Sequence, residues 1–142
     1  FTLNIWKFWY NVYEGKDNMM KCVVIYNPNS GKLTNRNDVK KLYKIFENYG
    51  YDVIDLGKDV EYEAVLNAVQ QNDCHLVGLS ALMTTTLGSM SDTIQLLKDN
   101  DCDCKIMVGG AVLTPEYAEK IGADYYSKDA KQSVDIAKEV LG

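Results

Sequence analysis

Residues 75–98 read HLVGLSALMTTTLGSMSDTIQLLK, and the change of period inside that stretch decides the fold. From His75 to Ser80 the residues are apolar or small with little alternation, the pattern of a strand covered on both faces. From Thr86 to Lys98 the period becomes helical, with Met90, Ile94 and Leu97 in register. A buried strand followed by an amphipathic helix is a βα unit.

The same alternation continues on both sides. Towards the amino end, residues 22–26 are a continuous apolar run, followed by the turn-forming Asn27, Pro28, Asn29, Ser30 and Gly31. Val39, Leu42, Tyr43, Phe46 and Tyr49 then share one helical stripe that stops at Gly50. Residues 51–56 predict a strand, and residues 61–71 a helix with Ala64, Val65 and Val69 inward. Towards the carboxyl end, residues 105–108 predict a strand ended by Gly109 and Gly110. Thr114 and Pro115 suit the N-cap and first position of a short helix, which Gly122 ends. A strand over 124–126 and a helix over 130–141 close the chain.

Five βα units in order predict an α/β protein with a flavodoxin-like (Rossmann-like) three-layer sandwich. The leading topology is a five-stranded parallel sheet of order 2-1-3-4-5 with right-handed crossovers. In such a sheet the ligand crevice opens at the carboxyl ends of the strands, where the first and third strands part. Function is therefore expected in the loops after Tyr26, Ser80, Val108 and Tyr126.

The totals narrow the choices. A length of 142 residues suits one domain with one core, read as residues 21–142 behind a leader segment over 1–20. A net charge of −5 and the lack of a dense basic run argue against a nucleic-acid partner. No apolar run reaches the roughly 20 residues that span a bilayer, and no signal peptide is evident. With one histidine, a zinc site would need most of Cys22, Cys74, Cys102 and Cys104 to converge, so a reduced, cytoplasmic chain without bound metal is expected.

The leader is rich in aromatics. Ile5, Trp9, Val12 and Tyr13 have helical spacing, while Trp6, Phe8 and Tyr10 fall on other faces. An N-terminal helix is expected here, packed on the domain or on a second copy, which makes Phe1–Tyr13 a candidate homodimer surface. A ligand cap or a membrane-surface contact are alternatives.

Four stretches carry a family resemblance. They are residues 55–60 (DLGKDV), 77–86 (VGLSALMTTT), 108–111 (VGGA) and 126–130 (YSKDA), with 26 residues between Leu82 and Gly109. Together they resemble the cobalamin-binding domain of methionine synthase and related corrinoid methyltransferase proteins, over about residues 49–142. The resemblance implies a carrier domain, with methyltransferase modules as partners and cobalamin as cofactor. It implies that the cofactor's nucleotide tail runs down a narrow slot lined by Ser80, Leu82, Thr84, Thr85, Gly109, Gly110, Ala111 and Ala130. The chemistry agrees, because small residues leave room and Ser80 and Thr84 offer hydroxyls.

The resemblance breaks at the cobalt. The family's D-x-H-x-x-G motif supplies a histidine to the lower axial position and an aspartate to that histidine's far nitrogen. Set at the family's usual distance before Ser80, the motif falls on residues 33–38, LTNRND. Asn35 stands where the histidine is expected, Leu33 where the aspartate is, and Asp38 where the glycine is. An amide nitrogen has no available lone pair, so Asn35 does not replace imidazole. The single histidine, His75, is expected at the opposite, amino end of the sheet.

A second resemblance overlaps that segment. Residues 25–32, IYNPNSGK, are similar to the first strand and N-P-x-S-G loop of the diacylglycerol-kinase family. The kinases' G-G-D-G-T partner motif has no counterpart, since Gly109 and Gly110 are followed by Ala111 and Val112. The loop supports instead a phosphate- or nucleotide-binding site at Asn27, Ser30, Gly31 and Lys32. The two resemblances meet near Gly50, as expected of a recombined or engineered chimera of two flavodoxin-like halves, or of one divergent natural domain. A folded scaffold without cofactor is the remaining alternative, and independent catalysis is not implied.

Overall fold

A computed structural model describes residues 22–27, 43–58, 61–81 and 84–142. The strands are β1 (Cys22–Asn27), β2 (Asp52–Lys58), β3 (Leu76–Ser80), β4 (Lys105–Gly109) and β5 (Tyr125–Ser127). The helices are α1 (residues 43–48), α2 (Tyr62–Asn72), α3 (Leu87–Asp99), α4 (Pro115–Lys120) and α5 (Ala130–Leu141), with a 3₁₀ turn at Thr84–Thr86 ahead of α3. All pairings are parallel and the sheet runs β2-β1-β3-β4-β5, the order expected from the alternation.

Register explains the layers. Val77 pairs with Ile106 and Leu79 with Val108, while Leu76 and Met107 lie one residue out of step with those pairs. Successive strand residues point to opposite faces. Val77, Leu79, Ile106 and Val108 therefore join the core built with Val65, Met90, Ile94, Leu97 and Ala118 of α2, α3 and α4. Leu76 and Met107 join the opposite core with Phe46 of α1 and Val134, Ile136 and Ala137 of α5. One helical layer thus holds α1 and α5, and the other α2, α3 and α4.

Side-chain caps set two helix starts. Thr114 accepts a hydrogen bond from Tyr117 N at 3.2 Å, with Pro115 opening α4. Asp129 caps α5 by accepting from Gln132 N at 2.8 Å, and the Gln132 side chain reaches back to Lys128 N at 2.9 Å. This is a reciprocal arrangement of capping-box type.

The amino ends of the strands are tied by polar bonds. Asp124 accepts from Ile106 N at 2.8 Å while its own N–H donates to Ile106 O at 2.9 Å. Tyr43 of α1 hydrogen-bonds Asp55 of β2; burial first, and then that carboxylate, push the phenol above its usual range.

The cysteines correct one expectation. Cys74 is buried beside β3 and disulfide-bonded, so the chain is not fully reduced in this structure. Cys102 and Cys104 are free. Burial, then the neighbouring Cys102, Asp124 and Asp103, push the Cys104 thiol up to about 11. Because the thiolate is the nucleophile, Cys104 is expected to alkylate slowly with iodoacetamide at pH 8 and to speed up about tenfold per pH unit until near pH 11. Peptide-level mass spectrometry across pH 7–11 checks this, and a rate that levels off below pH 9 contradicts it.

Among the described residues no group of three or more His, Cys, Asp or Glu side chains is placed to hold a metal ion. No helix among them is long and apolar enough to cross a membrane. The aromatic stretch Phe1–Tyr13 lies outside the described residues, as do Leu82, Asn35, Ser30, Gly31 and Lys32.

Candidate functional site

The carboxyl ends of the strands bring the expected residues into one row. Ser80, the last residue of β3, pairs with Gly109, the last of β4, and Gly109 pairs with Ser127, the last of β5. On the far side Asn27 ends β1 and pairs with Lys58. Thr84 and Thr85 follow β3 in the exposed 3₁₀ turn, Ala111 lies in the exposed turn after β4, and Ala130 opens α5 on the surface.

Parity places this row on a definite face. Counting by twos from the buried Leu76 leads through Gly78 to Ser80; from Met107 the same step leads to Gly109, and from Tyr125 to Ser127. All of these belong to the face covered by α1 and α5. Bulky residues fill its amino half, namely Leu76, Met107, Tyr125 and Phe46. Gly78, Ser80, Gly109 and Ser127 occupy the carboxyl half. The side chains of this face become smaller towards the carboxyl ends of the strands. Gly78 and Ser127 were missed as candidates; the period-2 count back from Ser80 and across to β5 was the signal that finds them.

Ser127 also fixes the start of α5. Its buried hydroxyl donates to Asp129 O at 2.7 Å and lies 2.6 Å from the Ser133 hydroxyl. The Ser133 hydroxyl, 3.1 Å from the same Asp129 O, has one proton to share between that carbonyl and Ser127 Oγ. The polar groups of this small cluster satisfy one another, so Ser127 serves to hold the Asp129–Ala130 corner.

The two glycines have a nearer constraint than a ligand. A Cβ at Gly109 would stand 2.9 Å from Ser127 O. Gly110 has φ +126°, and a Cβ there would run into the backbone of Ala81. Ala81 N donates to Gly109 O at 3.0 Å, so the loops after β3 and β4 are in direct backbone contact. Both positions are required first by the protein's own close packing.

His75 lies at the amino end of the sheet as expected, though one residue ahead of β3 rather than opening it, with its carbonyl accepting from Lys105 N at 2.9 Å. It is at the amino end, and Ser80 is at the other. The donor set for the cofactor's metal therefore does not fit: the crevice end of the sheet receives no imidazole from this chain.

These features define a flavodoxin-like domain with a row of small residues at the carboxyl edge of its sheet, on the face covered by α5. Residues 37–135 match the B12 binding domain family, and the chain belongs to that family, whose cofactor is cobalamin. The dimethylamine corrinoid protein 3 of Methanosarcina acetivorans is 41% identical over 99 residues, covering 68% of this chain and 46% of that protein. The chain thus spans about half the length of such relatives. A cobalamin-binding protein from Desulfitobacterium hafniense superposes with a TM-score of 0.78 at 27% identity, covering 86% of this chain and 59% of that one. The monomethylamine corrinoid protein of Methanosarcina barkeri gives 0.73 at 25% identity, over 93% and 63%. The family match begins at residue 37, beyond Asn35, whereas the structural likenesses take in most of the chain.

Proposed function

We propose that this chain is the corrinoid-holding domain of a methyl-transfer system, a carrier that works beside separate methyltransferase modules in the cytoplasm. The observation that carries the reading is the narrowing of the α5-side face from Leu76 and Met107 to Ser80 and Gly109, inside a region that matches the B12 binding domain family. The corrinoid proteins of dimethylamine and monomethylamine systems, similar over this region, support the carrier role.

Ser80, Leu82, Thr84 and Thr85 after β3, Gly109, Gly110 and Ala111 after β4, and Ala130 at the head of α5 would hold the nucleotide tail. Bound cobalamin supplies a cobalt centre that takes up and releases a methyl group. The chain's own residues do the holding: Ser80 and Thr84 offer hydroxyls, the Ser127–Ser133–Asp129 cluster fixes the α5 corner, and the Gly110–Ala81 contact sets the loop spacing.

Gel filtration after incubation with hydroxocobalamin tests the reading. Corrinoid absorbance is expected to travel with the protein, and a colourless protein peak rejects it. Ala130→Trp sharpens the test, because Ala130 is exposed and its replacement leaves the fold within about 0.5 kcal/mol. The indole would fill the tail's end, and affinity is expected to fall at least tenfold in a spectral titration at unchanged melting temperature. Unchanged affinity would remove Ala130 from the site.

One observation keeps a second reading in view. The family match starts past Asn35, and the chain lacks the axial histidine. A scaffold that binds no corrinoid predicts no rise in melting temperature with saturating cobalamin, whereas a binding domain gains about 2.7 kcal/mol at a hundred times Kd.

A further inference from the structure

We propose that the aromatic leader, Phe1–Tyr13, seats on the apolar stripe that Ile45 and Tyr49 form along α1, at the end of the sheet opposite the crevice. The inference concerns an interaction surface and stands whether or not the chain holds a corrinoid.

The stripe is open and its geometry is fixed. Ile45 and Tyr49 are the exposed large apolar side chains among the described residues, at 36% and 51%. Tyr49 N donates to Ile45 O at 3.2 Å, so one helical turn separates the two and they share a face. Lys138 Nζ of α5 stands 4.1 Å from the centre of the Tyr49 ring, a cation–π contact, and the Tyr51 ring stacks beside it at 6.4 Å. Tyr49 is thus held at the seam between α1 and α5 while it still faces water.

The path of the chain brings the leader to that seam. β1 begins at Cys22, which pairs with Asp52, the residue after Tyr51. Val23 pairs with Leu76, which shares a core with Phe46 of α1 and Val134 of α5. The chain therefore enters the sheet beneath the amino end of the seam, where Tyr49 lies. Residues 14–21 link Tyr13 to Cys22 and span up to about 30 Å when extended. Within the leader, Ile5, Trp9, Val12 and Tyr13 have helical spacing, and Lys7 is the single charged side chain in residues 1–13. A segment this apolar calls for cover, and an apolar stripe laid against a second helix supplies it. The crevice end has no such surface: Thr84, Thr85, Ala111 and Ala130 are small, and among the described residues no exposed large apolar side chain stands there. The leader is therefore assigned to the α1 stripe rather than to a cap over the ligand.

The test uses the full chain. Both tryptophans, Trp6 and Trp9, lie in the leader, so indole fluorescence reports on that segment alone. Blue-shifted emission that acrylamide quenches poorly is expected, at the mass of one copy in light scattering. Ile45→Ser and Tyr49→Ser change exposed positions and leave the fold in place, as an unchanged circular dichroism melt checks. Each is expected to weaken seating about tenfold. In the double variant emission is expected to move to the red and quenching to rise towards that of the urea-unfolded chain. Emission and quenching unchanged in the double variant would place the leader elsewhere and overturn the inference. A blue shift found only at the mass of two copies would give the stripe to a second copy, and emission of free indole in the parent chain would leave the stripe bare; either result overturns it too.

Discussion

Replacing Gly110 by alanine is expected to destabilise the domain by roughly 2–6 kcal/mol. Two costs combine. Gly110 sits at φ +126°, where L side chains are strained by about 1–3 kcal/mol. The new methyl group would also enter the space held by the backbone N, C and O of Ala81, which is fully buried and cannot step aside. Forcing a methyl into a filled interior costs about 1–3 kcal/mol more. Relief would require Ala81 to retreat and give up its 3.0 Å bond to Gly109 O, parting the loops that follow β3 and β4. Urea unfolding is the measurement, with the midpoint falling sharply at similar slope. Gly88→Ala is the control: nothing lies within 4 Å of the added Cβ in α3, and a gain of about 0.5–1 kcal/mol is expected. Equal midpoints for Gly110→Ala and the parent chain would mean that the close approach at Ala81 is wrong.

How much of this was legible in the chain differs between fold and site. Strand and helix order followed from period alone, because each parallel strand is a short apolar run and each helix a stripe such as Met90, Ile94 and Leu97. Boundaries slipped by a residue or two. Residues 124–126 were expected as the last strand, yet Asp124 spends its groups on Ile106 and the strand is Tyr125–Ser127. The start of α3 moved from Thr86 to Leu87 because Thr84–Thr86 forms its own 3₁₀ turn.

The site was legible through likeness to a family more than through chemistry. Ser80, Gly109 and Gly110 are small for reasons a single sequence does not separate. Gly109 answers to Ser127 O and Gly110 to Ala81, contacts made across strands that only the register brings together. The side-chain hydroxyls of Ser127 and Ser133, six residues apart, meet at 2.6 Å because β5 turns directly into α5 at Asp129. Nothing in their spacing announces that pair. The missing histidine, by contrast, needed no coordinates: one imidazole, at the first residue of a predicted strand, already stands at the far end of the sheet.

Phe46→Ala is expected to cost about 3–5 kcal/mol and to do so in a single unfolding transition. Phe46 lies in the part of the chain where the two family resemblances meet, four residues before Gly50. Its ring is 0% exposed and joins a cluster with Tyr51, Leu76 and Met107 of the sheet side and Val134, Ile136 and Ala137 of the last helix. The Tyr51 ring is 6.3 Å away and tilted by 53°, a favourable aromatic geometry. Truncation would leave a cavity that α1, the sheet and α5 share, and only partial collapse could fill it. If the region before Gly50 were an independent graft, the variant would lose a small early transition and leave the rest of the melt in place. The packing predicts the opposite: circular dichroism and tyrosine fluorescence are expected to shift together to lower urea, because the ring from the first half is held by residues of the second. Divergent midpoints for the two probes would show the halves folding apart, and the crevice at Ser80 would then be framed on one side only.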